Sequence, residues 1–478
     1  MTPRASQYVV QGGWIVAAEG RRLTLRRNAH LIVDSGVIKA IVEGRYVGDW
    51  PVVAVPEALI VPGFVSGHTH VASATPTRGL IEGGRSARRS AGLVAALDDD
   101  DLDALTAYNL AEILRSGCTT QLEMSQTLRQ AESYVRIAKR WGVRGYPGAM
   151  IPATPRVDAI WARTDDAVLF ASEADTLREI AANLDFGRRH MNAGDGRLRP
   201  MMSPHATDTH TPKTMAALRA AALELGTGLH LHLAQGESET AAVRRLWQMT
   251  PAAWLEHLGL LDMPVFGAHM MALDWTSDPA ILRRHGVVYV HCPSAGGASR
   301  TSQPYPEALG AGLLVNIGID THSNDYLENL KLAVIGGRIR AGLVSGRHPG
   351  PVIAPTVWDA LAGATIVAAD ALGRPDLGRL APGARADFAV IDLAGFLVGA
   401  GALPPDPLHH LLYANGLSVR HVATDGRFQV FDGALIVDDE RQVISEGARV
   451  AEKIWAQLAA EGRLKGAADG FDLPASHQ

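Results

Sequence analysis

The chain is poor in cysteine, poor in aromatic residues and close to balanced in charge. Its two cysteines, Cys118 and Cys292, are too few for a disulfide framework. A formal net charge of −5 argues against binding by phosphate neutralisation, so no nucleic-acid partner is expected. No window holds the roughly 18 uninterrupted apolar residues of a membrane span, so no membrane partner is expected either. The first residues show no charged stretch followed by a long apolar core, and no secretory leader reads there. With 47% hydrophobic and 20% charged residues the chain is not a disordered one. A soluble, cytoplasmic enzyme is the expectation. At roughly 150 residues per domain its 478 residues suggest about three domains, though a large α/β barrel takes about 250 or more residues as one domain.

Histidine is what the chain has in plenty, 18 residues, more than packing requires. Their placement follows from two textures. Residues 1–60 read as short β-rich runs separated by Gly, Asp and Ser turns. The last hundred residues return to that texture, with a strand over 386–392 and a hairpin over 421–433 turning at Asp425-Gly426. Neither end carries a catalytic cluster. Residues 1–60 and 381–478 are expected to form one composite β-sandwich domain, and 61–380 a separate unit.

That middle unit alternates strand and helix. Strands read at 58–64, 119–124, 143–150, 199–203, 228–233, 265–268, 287–291 and 313–319. Helical patterns read at 102–115, 130–141, 175–189, 212–225, 251–260, 278–285 and 305–311. Eight such strands predict an α/β fold, a (β/α)8 TIM barrel, whose chemistry sits at the C-terminal ends of the strands.

Ligand-type residues fall at those ends. His68 and His70 close the first strand, and two positions apart on a strand they point the same way. His232 ends the fifth strand, His269 the sixth, and Asp320 follows the eighth. Imidazoles with one carboxylate suit a divalent cation of the zinc class, with room for a water; iron, cobalt and manganese accept the same set.

The run Val61-Pro62-Gly63-Phe64-Val65-Ser66-Gly67-His68-Thr69-His70 resembles the opening motif of the amidohydrolase superfamily, in the branch of cytosine deaminase, S-adenosylhomocysteine deaminase and the triazine hydrolases. Further matches are Pro204-His205, His230-Leu231-His232-Leu233-Ala234-Gln235, Ala268-His269, His291-Cys292-Pro293-Ser294, Gly318-Ile319-Asp320, and the late Leu380-Ala381-Pro382-Gly383. The resemblance implies one divalent ion per subunit, zinc first, on His68, His70, His232 and Asp320. It places His269 beside the attacking water or the substrate carbonyl, or as a further ligand, and His205 facing the substrate. Homo-oligomers are common in the family. No equivalent of the bridging lysine of the binuclear members reads here, and Glu123 reads as a supporting group.

One departure from the resemblance matters. The deaminases carry glutamate four positions into the fifth-strand motif, where it shuttles a proton to a ring nitrogen; here the residue is Gln235. An amide donates and accepts hydrogen bonds but carries no proton. Glu237 and Glu239 read as first-turn residues of the next helix. The expectation is therefore hydrolysis of an acyclic amide, urea, carbamate or thiocarbamate at a C–N or C–S bond. Asp320 would handle the proton, His269 the oxyanion, and Gln235 the orientation of the small-molecule substrate. The alternatives are deamination or dechlorination of an aminated N-heterocycle, or a catalytically idle barrel scaffold. His322, two residues past Asp320, enters the same pocket or is a loop histidine bonded to backbone. The long loop 71–97 and the segment 152–174 are candidate pocket walls.

Overall fold

The computed structural model describes residues 6–162 and 166–464. His477 and the outer parts 1–5 and 465–478 of the composite terminal unit lie outside the described residues.

Eight short strands run through the middle of the chain. They are β1 (Phe64–Thr69), β2 (Cys118–Ser125), β3 (Arg144–Ile151), β4 (Ser203–Pro204), β5 (Leu229–Leu233), β6 (Val265–His269), β7 (Val288–His291) and β8 (Leu314–Ile317). They pair in parallel as two curled four-stranded sheets, β1-β2-β3-β4 and β5-β6-β7-β8. The strand ladder is not continuous around all eight. Single bridges mark the two seams, Met202 with Leu229 and Thr69 with Asp320. Backbone bonds cross the same seams, from His230 N to Met202 O at 3.1 Å and from Ile319 N to His68 O at 3.0 Å. Val65, Leu122, Tyr146, Met201, Phe266 and Val290, drawn from both sheets, pack into one buried cluster.

Helices fill the connections, with ends set by local chemistry. Thr211 caps the helix Pro212–Leu225 by accepting from Thr214 N, Pro212 opens it, and Gly226 at φ 68° closes it. Thr127 and Gln130 form a reciprocal cap on Leu128–Trp141.

Four expectations change. The apolar run read as one strand over 58–64 belongs to two sheets: Val52–Pro62 pairs with the chain ends, and β1 starts at Phe64. Gly63 lies between them against Thr119, where a Cβ would meet the hydroxyl at 2.2 Å. The fourth strand is two residues long and later than 199–203. The terminal β unit is one nine-stranded hydrogen-bonded sheet. Val52–Pro62 unites it by pairing parallel with Gln7–Glu19 and antiparallel with Phe388–Asp392, so strands from both ends share one ladder. Finally, Glu440–Ala460 is a helix within the stretch read as β-rich. Asp439 caps it, and Val450, Ile454 and Leu458 bury one face against Leu102 and Leu105 of the helix Asp99–Arg115. Among the described residues no helix is long and apolar enough to cross a membrane.

Candidate metal centre and active site

The strand ends converge. Gly67 lets β1 approach β8: its N–H donates to Asn316 Oδ1 at 2.7 Å, and a Cβ there would lie 2.2 Å from that oxygen. Asn316 Nδ2 in turn donates to Val65 O at 2.9 Å. His68 and His70 follow on the same face. Thr69 between them turns away, its hydroxyl 2.9 Å from Glu123 Oε2. Glu123 also accepts from Val71 N at 3.0 Å and Ser125 Oγ at 2.7 Å. Burial pushes its carboxyl up to about 7. Glu123 thus fastens the end of β1 to β2 and takes no place in the histidine cluster.

His68 Nε2 and His70 Nε2 lie 3.9 and 3.7 Å from Asp320 Oδ1, and His269 Nε2 lies 3.7 Å from Asp320 Oδ2. Donor atoms of His68, His70 and His232 all fall within 4.8 Å of one another, as do those of His68, His269 and Asp320. His269 and Asp320 hold left-handed backbones, φ 78° and 64°, which non-glycine residues rarely adopt. Such conformations cluster at sites where side-chain aim is over-determined by the surroundings.

The far side of each ring sets its tautomer. His70 Nδ1 faces Met124 O at 2.5 Å, and His232 Nδ1 faces His205 O at 2.7 Å. A carbonyl only accepts, so each Nδ1 carries the proton and each Nε2 presents a lone pair to the cluster. His68 Nδ1 bonds His230 Nε2 at 2.7 Å, and its buried Nε2 has no hydrogen-bond partner among the described residues. Burial, then the neighbouring imidazoles, hold His68 and His232 well below the usual histidine range. Neutral imidazoles beside a carboxylate, with an orphaned ring nitrogen aimed at the common point, are the donor set a borderline divalent cation takes.

His205 lies beside this cluster. Its ring is 5.0 Å from His232 and 4.8 Å from Trp161, and burial lowers it to about 3, so it is neutral. Gln235 is half-buried and lines a cavity of about 470 Å³ with Trp161, Asp208, Glu239, Arg88 and Arg245. Glu239, read from sequence as a first-turn residue, is buried there. It accepts from Gln235 N at 2.7 Å and Thr207 N at 3.1 Å, tying the loop after β5 to the loop after β4. Glu237 is exposed. His322 is not brought into the cluster. It pairs with Glu82 and lines a different cavity with Arg78, Glu112 and Asn324, drawn there by the carboxylate.

Two supporting residues had no part in the sequence reading of the site. His230 backs His68, and its signal was present: it shares with His232 the alternate spacing of His68 and His70. Gln303 backs His269 at 3.1 Å from an irregular loop, where no periodicity points to it.

Residues 59–428 match the model of the Amidohydrolase family. This chain belongs to the amidohydrolase family. A relative from Haloarcula marismortui, a 5-methylthioadenosine/S-adenosylhomocysteine deaminase, is 30% identical over 455 residues, covering 92% of this chain and 96% of its own. The fold is shared with an adenosine deaminase from Xanthomonas campestris solved with bound zinc, at 23% identity and TM-score 0.77, covering 94% and 98% of the two chains. It is shared too with an atrazine chlorohydrolase from Arthrobacter aurescens complexed with zinc, at 20% identity and TM-score 0.77, covering 93% and 100%. The amidohydrolase is an enzyme, a hydrolase acting on carbon–nitrogen bonds other than peptide bonds.

Proposed function

We propose that this amidohydrolase removes the amino group of an aminated N-heterocycle of nucleoside type, using one divalent ion, zinc first, on His68, His70, His232 and Asp320. The observation that carries the reading is the convergence of neutral, back-bonded imidazoles and one carboxylate at the strand ends. The choice of a ring substrate over an open-chain one follows the relatives, which are named as deaminases of adenine nucleosides. It replaces the acyclic preference drawn from Gln235.

Bound in this set, the cation supplies Lewis acidity and a more acidic water. The chain's own groups do the rest. Asp320 accepts the proton of the attacking water and returns it to the leaving amine. His269 donates from Nε2 towards the water or the developing tetrahedral centre. His205 and Trp161 wall the ring's side of the site. Gln235 hydrogen-bonds a ring nitrogen or exocyclic group without transferring a proton. The eight strands act as one (β/α)8 barrel in this reading, with 61–380 as the hydrolase unit and the chain ends as its composite partner.

A second reading, hydrolysis of an open-chain urea or carbamate, is favoured by one observation, the amide at position 235. Ammonia release from adenosine, 5′-methylthioadenosine and S-adenosylhomocysteine, set beside phenylureas and carbamates, separates the two. Ring deamination that a chelator abolishes and zinc restores is the expected result. Turnover confined to ureas and carbamates would overturn the first reading in favour of the second.

A further inference from the structure

We propose that Gln303 is a positioning residue that fixes the ring tautomer of His269, keeping this histidine a hydrogen-bond donor towards the reaction centre and out of the set of ligands. The proposal rests on the reading of the cluster as a metal centre, and it begins with an amide whose orientation is determined. Gln303 is buried, and its Oε1 accepts from the backbone N–H of Cys292 at 2.8 Å. A main-chain N–H only donates, so the oxygen of the amide must be on that side. The amide nitrogen then faces His269 Nδ1, at 3.1 Å. An NH2 group only donates, so His269 Nδ1 is an acceptor, and the neutral ring carries its proton on Nε2.

That arrangement is opposite to the one at His70 and His232. Their Nδ1 atoms face carbonyl oxygens, which leaves Nε2 with a lone pair. Distance alone would admit His269 to a set with His68 and Asp320. The chemistry behind the ring separates it from the others. Its Nε2 is buried, 3.7 Å from Asp320 Oδ2, and has no hydrogen-bond partner among the described residues. A protonated Nε2 in that place supplies a hydrogen bond to an oxygen at the centre, the role of an oxyanion donor.

The surroundings hold the amide in place. His291 Nδ1 lies 3.2 Å from Gln303 Oε1 and 3.1 Å from the Tyr289 hydroxyl, adding a second polar group on the oxygen side. Gly296 leaves room for the side chain: a Cβ there would come to 3.3 Å from both Gln303 Cγ and Nε2.

The decisive substitution is Gln303→Glu. A carboxylate only accepts, so it demands the proton on His269 Nδ1 and turns Nε2 into a free lone pair. Nitrogen-15 shifts of histidine rings in the metal-free protein, assigned with His269→Gln, read the tautomer without substrate or metal. The parent is expected to show His269 as the Nε2–H form and Gln303→Glu as the Nδ1–H form. In the cobalt(II)-loaded protein the substitution is expected to change the visible spectrum as a nitrogen ligand is added. Turnover should fall about 10–100-fold, the usual cost of losing such a supporting bond. An Nδ1–H form in the parent, or an unchanged tautomer in Gln303→Glu, would overturn the proposal. Should Gln303→Glu not fold, Gln303→Met serves, with a mixed tautomer expected and an unaltered one overturning the idea. Failure of the parent to bind any metal would sink the metal-centre reading, while the nitrogen-15 result would still decide the role of Gln303.

Discussion

Arg144 and Asp387 form a buried ion pair, Nε to Oδ2 at 2.8 Å, between the first residue of β3 and the turn leading into the strand Phe388–Asp392. Arg144 also donates to Asp425 at 2.6 Å, in the turn of the late hairpin. Charge therefore docks the middle of the chain onto the sheet made by its ends. Removing one partner from a buried pair leaves the other uncompensated, which typically costs about 3–5 kcal/mol. Arg144→Ala is expected to lose that much in denaturant titration. A loss under about 1 kcal/mol, the scale of an exposed pair, would show that the network contributes little to stability.

Gln235→Glu puts an ionisable group where the resemblance to the deaminases implies a glutamate. General acid–base help is worth about 10²–10⁴ in rate. Ring deamination is expected to rise towards the lower end of that range, because Asp208 and Glu239 already place acidic groups in the same cavity. Measured kcat/KM on 5′-methylthioadenosine checks it. No gain would mean that another group already carries the ring proton.

Glu239 should leave a signature in stability against pH. Burial and then the charge of Asp208 raise its carboxyl from 4.5 to about 7, against the bonds it accepts from Thr207 and Gln235. A raised folded value means that the folded state holds the proton more tightly than the unfolded one. Its contribution is full below about 4.5 and is lost as pH rises through about 7. Glu239→Gln should remove that slope across the window. Parallel curves for parent and variant in chemical unfolding at several pH values would refute this.

His322→Ala should leave bound metal unchanged and KM within about twofold, as for substitutions away from a site. The side chain is paired with Glu82 in a separate cavity. A KM rise of an order of magnitude would return His322 to the substrate pocket.

Much of the site was legible because its residues end strands, and strands announce themselves as apolar runs. His68, His70, His232 and His269 could be placed from the ends of such runs, and the structure brings them together with Asp320. The helix Pro212–Leu225 was legible to the residue, since Thr211, Pro212 and Gly226 mark both ends chemically. The break at Gly63 was not, because an apolar run looks the same whether one sheet or two bury it. Glu239 does stand in the first turn of its helix, Glu237–Trp247, as read, but its burial was not legible, because only the course of the facing loop shows what covers it. Gln303 left no trace in any period, for its contact depends on the course of an irregular loop.

His68 stands at the end of β1 in one of the two curled sheets and His70 directly follows that strand, while His232 stands on the other sheet and Asp320 follows its last strand. An ion held by these four would be a clasp across two arcs whose ladders are interrupted at both joins. Stripping it should loosen the joins beside Met202 and Thr69 before anything else unravels. Catalysis and cohesion would then fail together, because the same keystone serves both.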